Sequence, residues 1–185
     1  MAKYQGISKS TAVRHGTIAP RRKRSKNEAE EFLHKPKGFE ICSTCNSVFF
    51  EKSWHHSLDE DTRHLKEKNL DKKQIKFVTC PACQMKKDRV FEGELIIKLD
   101  GSQLESKEII NAVNNSNALA MERDPMDRIL WIEDRGKEIH IYTSENQLVV
   151  RMGKKLESSF KGGKLEIHHS EQEDIIRVYW TAPLI

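Results

Sequence analysis

Four cysteines in two short pairs are the residues whose type and spacing indicate chemistry most clearly. Cys42 and Cys45 form one Cys-x-x-Cys pair, Cys80 and Cys83 form the other, and the chain contains no further cysteine. Each pair can place two sulfurs on one side of a metal ion, and two such pairs complete a tetrahedral thiolate set. Zinc takes four soft thiolates without redox chemistry or an open coordination position. We therefore expect these cysteines to hold one structural Zn2+ that fastens the fold and catalyses nothing.

The cysteines have other interpretations: a thioredoxin-like redox pair, four ordinary buried side chains, or the ligands of an iron–sulfur cluster. Two tight pairs favour a metal site, and nothing else in the sequence indicates electron transfer. The 34 residues between the pairs exceed the usual ribbon spacing. The pattern Ser57-Leu58-Asp59-Glu60 resembles a capping box, so we predict a helical insertion that runs from there to about Leu70.

The run Trp54-His55-His56 also lies between the cysteine pairs. It can supply a catalytic metal ligand or a base-stacking surface. The alternative is that Trp54 packs on the metal module while both histidines are exposed. We favour the packing role, because four thiolates leave no need for a histidine at the metal.

The charge of the chain is unevenly distributed. Residues 1–40 carry ten Lys and Arg against four acidic residues, residues 41–91 carry ten against seven, and residues 92–185 carry twelve against seventeen. Positive charge concentrated at the front of the chain suits phosphate groups, so we predict salt-sensitive contact with nucleic acid. An ordinary solvated basic tail is the alternative. The basic residues predicted to contact nucleic acid are Arg21, Arg22, Lys23, Arg24, Lys26, Lys86, Lys87 and Arg89.

Composition and periodicity divide the chain into three parts. Residues 1–38 are predicted to be a basic, largely disordered arm, residues 39–91 a small zinc-ribbon-like module built on the four cysteines with a helical insertion, and residues 92–185 an α+β domain. In that domain the pattern predicts one strand, then helix–strand–strand twice. We expect an open antiparallel sheet covered on one face by two helices. The predicted strands are Glu94–Leu99, Arg128–Asp134, Glu138–Thr143, Leu165–His169 and Ile175–Thr181, and the first predicted helix is Gln103–Met121.

The uncovered face of this sheet is predicted to be polar and aromatic. It would carry His140, Tyr142, His168, Arg177 and Tyr179. Aromatic side chains on an exposed sheet can stack on unpaired bases, so Tyr142 and Tyr179 are added to the predicted nucleic-acid contacts. A protein-docking face is the alternative, because the domain carries net negative charge.

Several classes of function find no support. The sequence has no Walker loop, no dinucleotide-binding glycine fingerprint and no nucleophile elbow. Glu122, Asp124 and Asp127 form an acidic cluster at a predicted helix end, where solvated or capping roles are favoured. No catalytic constellation or small-molecule substrate is evident. No run approaches the roughly 20 apolar residues of a membrane span, and the basic N-terminus lacks an apolar h-region. We therefore expect a cytoplasmic location without membrane contact.

A set of motifs resembles a known family. The motifs are Cys42-x-x-Cys45 with Trp54 and Cys80-Pro81-x-Cys83, the segment Asp124-Pro125-Met126-Asp127-Arg128-Ile129, the pair Ile132-Glu133, the run Arg151-Met152-Gly153-Lys154-Lys155-Leu156, and the strand Arg177-Val178-Tyr179-Trp180. Over about residues 20–182 the chain resembles a bacterial family of small cytoplasmic proteins with paired Cys-x-x-Cys motifs. That family is distantly similar to the large-ribosomal-subunit export adaptor of archaea and eukaryotes, which is named for nonsense-mediated decay. The resemblance implies a role with ribosomes or RNA and supplies no catalytic residues.

Two hypotheses follow. In the first, the chain is a zinc-binding protein that docks on RNA or a ribosomal particle through its basic arm and zinc module. In the second, it is a protein-interaction adaptor or regulator that acts through the α+β domain. An enzyme such as a nuclease is a weaker third hypothesis.

Overall fold

The computed structural model describes residues 39–56, 75–170 and 174–184. The basic run Arg21–Lys26 and the helical insertion predicted from Ser57 to about Leu70 lie outside these ranges. Within them, the first part of the chain forms β1 (Phe39–Cys42), β2 (Val48–Phe50), β3 (Ser53–His55), β4 (Ile75–Val78) and α1 (Pro81–Asp88). The second part forms β5 (Gly93–Lys98), α2 (Ser106–Arg123), β6 (Ile129–Asp134), β7 (Glu138–Thr143), α3 (Asn146–Ser159), β8 (Lys164–His169) and β9 (Ile176–Thr181).

The smaller sheet brings the two ends of the cysteine module together. Its strand order among the described residues is β3-β2-β1-β4, with β1 antiparallel to β2 and parallel to β4. Cys42 at the end of β1 is in register with Val78 at the end of β4. Because parallel strands finish at the same edge of a sheet, the residues that follow both strands emerge side by side.

The larger sheet confirms the predicted α+β class and the order strand, then helix–strand–strand twice. In the described ranges its strand order is β6-β7-β5-β9-β8. Strand β5 is central, and Leu95, Ile96 and Ile97 are all buried there. A continuous apolar run of this kind is typical of a strand with neighbours on both edges and layers on both faces.

The prediction of a wholly antiparallel sheet is wrong at one pairing. Strand β9 runs parallel to β5, with Val178 opposite Leu95, whereas the other three pairings are antiparallel. The hairpins β6–β7 and β8–β9 flank β5 on opposite sides. The inner strand β7 is antiparallel to β5, and the inner strand β9 is parallel to it. Alternation of apolar residues marks a strand without fixing its direction, which depends here on the long connection through α2 and α3.

Two helices cover one face of the larger sheet, as predicted. Helix α3 buries Leu148, Met152 and Leu156, which recur every four residues. The main core of described residues joins them to Ile109, Val113 and Ala120 of α2 and to Leu95, Ile97, Ile139, Ile141, Val178 and Trp180 of the sheet. Burying these side chains gives roughly 1.5–3 kcal/mol each relative to exposure, which makes this layer the main source of stability. No helix in the described part of the chain is long and apolar enough to cross a membrane.

Helix α2 begins later than predicted. The sequence pattern predicts a start at Gln103, but the helix runs from Ser106 to Arg123. The Ser102 hydroxyl accepts a hydrogen bond from the Leu104 N–H at 3.1 Å, so it closes a turn before the helix. Glu105 is the N-cap residue, and its side chain makes no capping hydrogen bond.

The opposite face of the larger sheet is only partly open. A second apolar cluster joins Met85 of α1 and Phe91 to Leu130 and Tyr142 of the sheet. The prediction that the sheet buries one face only is therefore wrong at the β6–β7 end. The reason is that the cysteine module, which the sequence cannot place relative to the sheet, lies against this end.

Gly163 tests the packing of this core. A Cβ atom at Gly163 would lie 2.6–2.7 Å from three atoms of the Trp180 indole, which is fully buried. We expect Gly163→Ala to lower the free energy of unfolding by about 1–3 kcal/mol, because overpacking a fixed ring strains its surroundings. Chemical denaturation of the full chain measures the loss.

Trp180→Phe provides the matched background, because the smaller ring leaves room for the added methyl group. In that background, Gly163→Ala should be distinctly less destabilising. An equal loss in both backgrounds would contradict the proposed contact.

Candidate metal centre

The structure brings all four predicted cysteine ligands together. The Sγ atoms of Cys42, Cys45, Cys80 and Cys83 lie within 4.8 Å of one another, and no disulfide joins them. The Sγ atoms of Cys45 and Cys80 are 3.6 Å apart. A tetrahedron with metal–sulfur bonds of roughly 2.3 Å has sulfur–sulfur edges of about 3.8 Å, so this spacing fits a four-thiolate site. The four cysteines can hold a metal ion.

The first pair is positioned by a turn that follows β1. The Cys42 N–H donates to the Ser47 carbonyl at 2.8 Å, and the Asn46 N–H donates to the Cys42 carbonyl at 2.9 Å. The Ser43 N–H donates to the Val78 carbonyl at 2.9 Å. This last bond fastens the turn to β4, so the first pair is held over the strand that leads to the second.

The second pair occupies the first turn of α1. Cys80 is the N-cap residue of the helix and Pro81 follows it, an arrangement that favours helix initiation. The Cys80 sulfur accepts from the Cys83 N–H at 3.4 Å, and the Cys80 N–H donates to the Cys42 sulfur at 3.3 Å. Backbone donors and the positive end of the helix dipole both stabilise negative charge on the sulfurs.

Arg128 is the part of the site that the sequence did not reveal. Its Nη2 atom lies 3.1 Å from the sulfur of Cys80, 3.6 Å from that of Cys45 and 3.8 Å from that of Cys83. One guanidinium therefore faces three of the four sulfurs, from the segment before β6. Four thiolates around a divalent ion leave two net negative charges, and Arg128 offsets one of them.

The backbone of Arg128 is clamped by Ser144 at the end of β7. The Arg128 N–H donates to the Ser144 hydroxyl oxygen at 2.9 Å, and the Ser144 N–H donates to the Arg128 carbonyl at 3.0 Å. The Ile129 N–H donates to the Asn117 side-chain oxygen at 2.7 Å. Helix α2 and strand β7 of the larger sheet thus hold the arginine that faces the sulfurs.

The acidic cluster at the end of α2 supports the same segment. The Asp124 carboxylate accepts from the Met126 N–H at 2.8 Å, and Asp127 forms an ion pair with Arg151 of α3. Burial raises the pKa of Asp127 despite that partner. Asp124 is thus the C-cap residue of α2 and closes the turn after it, whereas Asp127 binds α3 instead of capping a helix.

The surroundings of the sulfurs favour ionisation in the first pair. Burial opposes charge on Cys42, but the backbone N–H groups that face its sulfur outweigh burial and lower the pKa of its thiol. Burial opposes charge on Cys45, but its contacts with Ser47 and Arg128 outweigh burial and lower the pKa of its thiol to about 6. Burial raises the pKa of the Cys80 thiol. An incoming cation therefore meets an ionised sulfur at Cys45.

The aromatic run between the pairs packs beside the site. Trp54 packs against the apolar cluster that contains Cys42 and Cys80, and its ring centre lies 5.4 Å from that of Phe49. In the described ranges the group that can hold a metal contains only the four cysteines. The packing role predicted for Trp54 is confirmed. The histidines are half-buried rather than exposed, because His55 stacks on Phe50 and His56 Nε2 lies 3.3 Å from the Glu122 carbonyl oxygen.

The residues predicted to contact nucleic acid differ in their exposure. Lys86 and Lys87 are exposed in the last turn of α1, and exposed Arg89 is its C-cap residue. The predicted exposure of Tyr142 and of its neighbour His140 is wrong, because they are only 3% and 8% exposed. Tyr142 is covered by Phe91 and Trp131, so it is unavailable to stack on a base. The five basic residues predicted in the arm, Arg21, Arg22, Lys23, Arg24 and Lys26, lie outside the described residues.

The rest of the open face is crossed by ion pairs. Tyr179 is half-buried, with His168 against its ring edge and the Lys98 ammonium 5.9 Å from its ring centre. Glu94 accepts from His140 and from Arg177 at 3.2 Å each. Burial opposes charge on Glu94, but these two partners hold the pKa of its carboxyl below its ordinary value. The Arg177 guanidinium on this face is therefore already paired with a carboxylate, which makes it a poorer partner for phosphate.

Comparison of the chain with protein-family models, curated proteins and solved structures finds no significant match. The resemblance described above therefore stays an expectation, and functional inference depends on the geometry of the site.

Arg128→Gln tests whether this side chain supports the metal site. We expect about tenfold weaker Zn2+ binding, because residues hydrogen-bonded to metal ligands typically contribute this much to affinity. Competition with a chromophoric chelator measures the affinity.

Arg123→Gln is the matched control, because it removes the same charge five residues earlier from an exposed side chain that donates a hydrogen bond within its own helix, to the Leu119 carbonyl. Equal zinc affinities in the two variants would show that Arg128 does not act on the sulfurs.

Proposed function

We propose that this chain is a zinc-binding protein that associates with RNA or a ribosomal particle, and that the metal presents helix α1 as a basic contact surface. The observation that carries the proposal is the placement of two features on one short helix. Cys80 and Cys83 occupy its first turn, and Lys86, Lys87 and Arg89 occupy its last turn and C-cap. An eight-residue helix is about 12 Å long, so the metal fixes the direction of the whole basic group.

Zinc is the metal that suits this site best. Four sulfur ligands with two backbone N–H donors form a closed set, which is typical of structural zinc and leaves no position for substrate. An iron–sulfur cluster uses the same ligand type, but nothing on the described surface indicates electron transfer.

The chemistry of α1 suits phosphate. Lys86, Lys87 and Arg89 are exposed, and the one acidic residue between them, Asp88, accepts a hydrogen bond from Gln84 at 2.7 Å. Each Lys or Arg that neutralises a phosphate releases counterions, which makes binding steeply salt-dependent. In this proposal Arg21, Arg22, Lys23, Arg24 and Lys26 add further phosphate contacts. The resemblance to the export-adaptor family makes the large ribosomal subunit the first particle to test.

Metal content tests the first half of the proposal. We expect about one Zn2+ per purified chain, and a Co2+-substituted chain with the visible bands of tetrahedral thiolate coordination. Chelation should remove hydrogen-exchange protection from 39–56 and 75–91, because metal-binding energy in such modules is folding energy. The core amides of β5 and β9, outside the β6–β7 end that contacts the module, should stay protected.

A purified chain that holds iron, or that keeps protection in 39–56 and 75–91 after the metal is removed, would exclude a structural zinc site. Cys80→Ser should reproduce the effect of chelation without a chelator.

Removing positive charge from α1 tests the second half of the proposal, that this helix contacts RNA. We expect Lys86→Gln, Lys87→Gln and Arg89→Gln, combined in one variant, to weaken binding to ribosomal RNA by about tenfold at low salt and to reduce the salt slope by about 2. Fluorescence anisotropy over a salt series measures both quantities.

The control variant combines Lys154→Gln, Lys155→Gln and Lys161→Gln, which removes three exposed positive charges around α3. Equal effects of the two triple variants would indicate general electrostatic attraction rather than a surface on α1. Partners that survive nuclease and high salt would favour the alternative, a protein-interaction adaptor that acts through the α+β domain.

A further inference from the structure

A β-bulge in β6 creates an aromatic stack beside α1. Ile129 is opposite Thr143 and Trp131 is opposite Tyr142, so Leu130 is an extra residue in the strand. Without it, alternation would place Trp131 on the helix-covered face of the sheet. With it, Leu130 and Trp131 both join the cluster on the α1 side. The bulge is thus what brings the indole to this surface.

Arg89 covers the outer side of this stack. The Trp131 ring stacks on Tyr142 with centres 4.7 Å apart and an interplanar angle of 23°. The Arg89 guanidinium carbon lies over the Trp131 ring, 4.9 Å from its centre. Because Tyr142 takes one face of the indole, the guanidinium takes the other. Arg89 is exposed whereas Trp131 is only partly exposed, so solvent reaches this side of the stack mainly at the arginine.

The backbone at Arg89 is unusual for an arginine. Its φ of 55° and ψ of 39° place it in the left-handed region, at a helix C-cap where glycine is the ordinary residue. Its N–H donates to the Met85 carbonyl, so the end of α1 fixes this conformation. A strained residue held by its surroundings points to a role for its side chain, and the cation–π contact shows where that side chain is directed.

The surroundings of Arg89 suit nucleic acid better than the other candidate platform does. Lys86 and Lys87 lie within one turn of it. Near Tyr179, by contrast, the cations Arg177 and Lys164 are paired with Glu94 and Glu166. Glu133, two residues after Trp131, is paired with Arg135 at 2.6 Å. A planar guanidinium flanked by ammonium groups can stack on a base while its neighbours contact phosphate.

We propose that the Arg89 guanidinium is a platform on which an unpaired base of bound RNA stacks. This inference rests on the proposed RNA association and deepens it: the ligand is a single-stranded segment, with Lys86 and Lys87 on its phosphates. A fully paired helix keeps its bases stacked on each other and gains only the phosphate contacts.

Two oligonucleotides of about 12 nucleotides separate base contacts from phosphate contacts, a length within the range of single-strand sites. One is oligoadenylate, and the other is an abasic strand with the same number of phosphates. We expect the full-length zinc-bound chain to prefer the base-bearing strand by about tenfold, since stacking is lost with the base.

Arg89→Lys keeps the positive charge and removes the planar guanidinium group. We expect it to lose the preference for bases while its affinity for the abasic strand stays within about twofold, because the phosphate contacts remain. Arg123→Lys, the same exchange at an exposed site on α2, should keep the preference. Arg89→Gly separates binding from folding: glycine suits the left-handed backbone, so zinc content and thermal midpoint should hold while the preference disappears.

Two outcomes overturn the inference, and they have different meanings. If the chain binds both strands equally well, or if Arg89→Lys keeps the preference, the stacking platform is wrong and phosphate binding stands. If the chain binds none of these nucleic acids at low salt, the proposed RNA association fails and the platform fails with it.

Discussion

Four sulfurs that lie within 4.8 Å of one another impose the constraint on which the cysteine module depends. The four side chains are buried or half-buried, so water solvates them poorly. Negative charge on the sulfurs must therefore be stabilised by groups in direct contact with them. The fold supplies the N-terminus of α1, two backbone donors and the guanidinium of Arg128, in addition to any metal. The parallel pairing of β1 with β4 makes this possible, because it delivers both cysteine pairs to one edge of the smaller sheet. Without that pairing the two turns would form separately and share no ion.

The same charges join the two halves of the chain. Arg128 belongs to the larger sheet through Ser144 and Asn117, yet its side chain ends at the sulfurs. The apolar cluster of Met85, Phe91, Leu130 and Tyr142 crosses the same boundary. The structure is therefore not a metal module tethered to an independent domain. Order at the sulfurs and order at the β6–β7 end of the sheet support each other, and the basic end of α1 is oriented by both.

Local signals explain what could be predicted. The cysteine spacing identified all four clustered sulfurs. Apolar alternation located β7 with its observed bounds, and the apolar run after Arg128 located β6 to within one residue. The predictions that failed depend on contacts between distant parts of the chain. Burial of Tyr142 requires the module to lie on the sheet, and the direction of β9 is set by a long connection. Arg128 is one of 32 Lys and Arg residues, and only the folded chain shows which of them faces the sulfurs. The bulge at Leu130 cannot be recognised from the sequence, because Ile129 to Ile132 is an unbroken apolar run in which no alternation marks the extra residue.

The 34-residue separation of the cysteine pairs has a consequence for chain entropy. A metal bound to both pairs closes a large loop, and closure entropy grows only with the logarithm of loop length. Doubling the separation would raise the entropic cost of closing the loop by roughly 0.6 kcal/mol. That cost is small beside the binding free energy that is typical of zinc at a four-thiolate site. The length of the segment between the pairs thus has little effect on the stability of a metal-bound module. A chain built this way can change the length of that segment while the four cysteines, β1, β4 and α1 keep their arrangement.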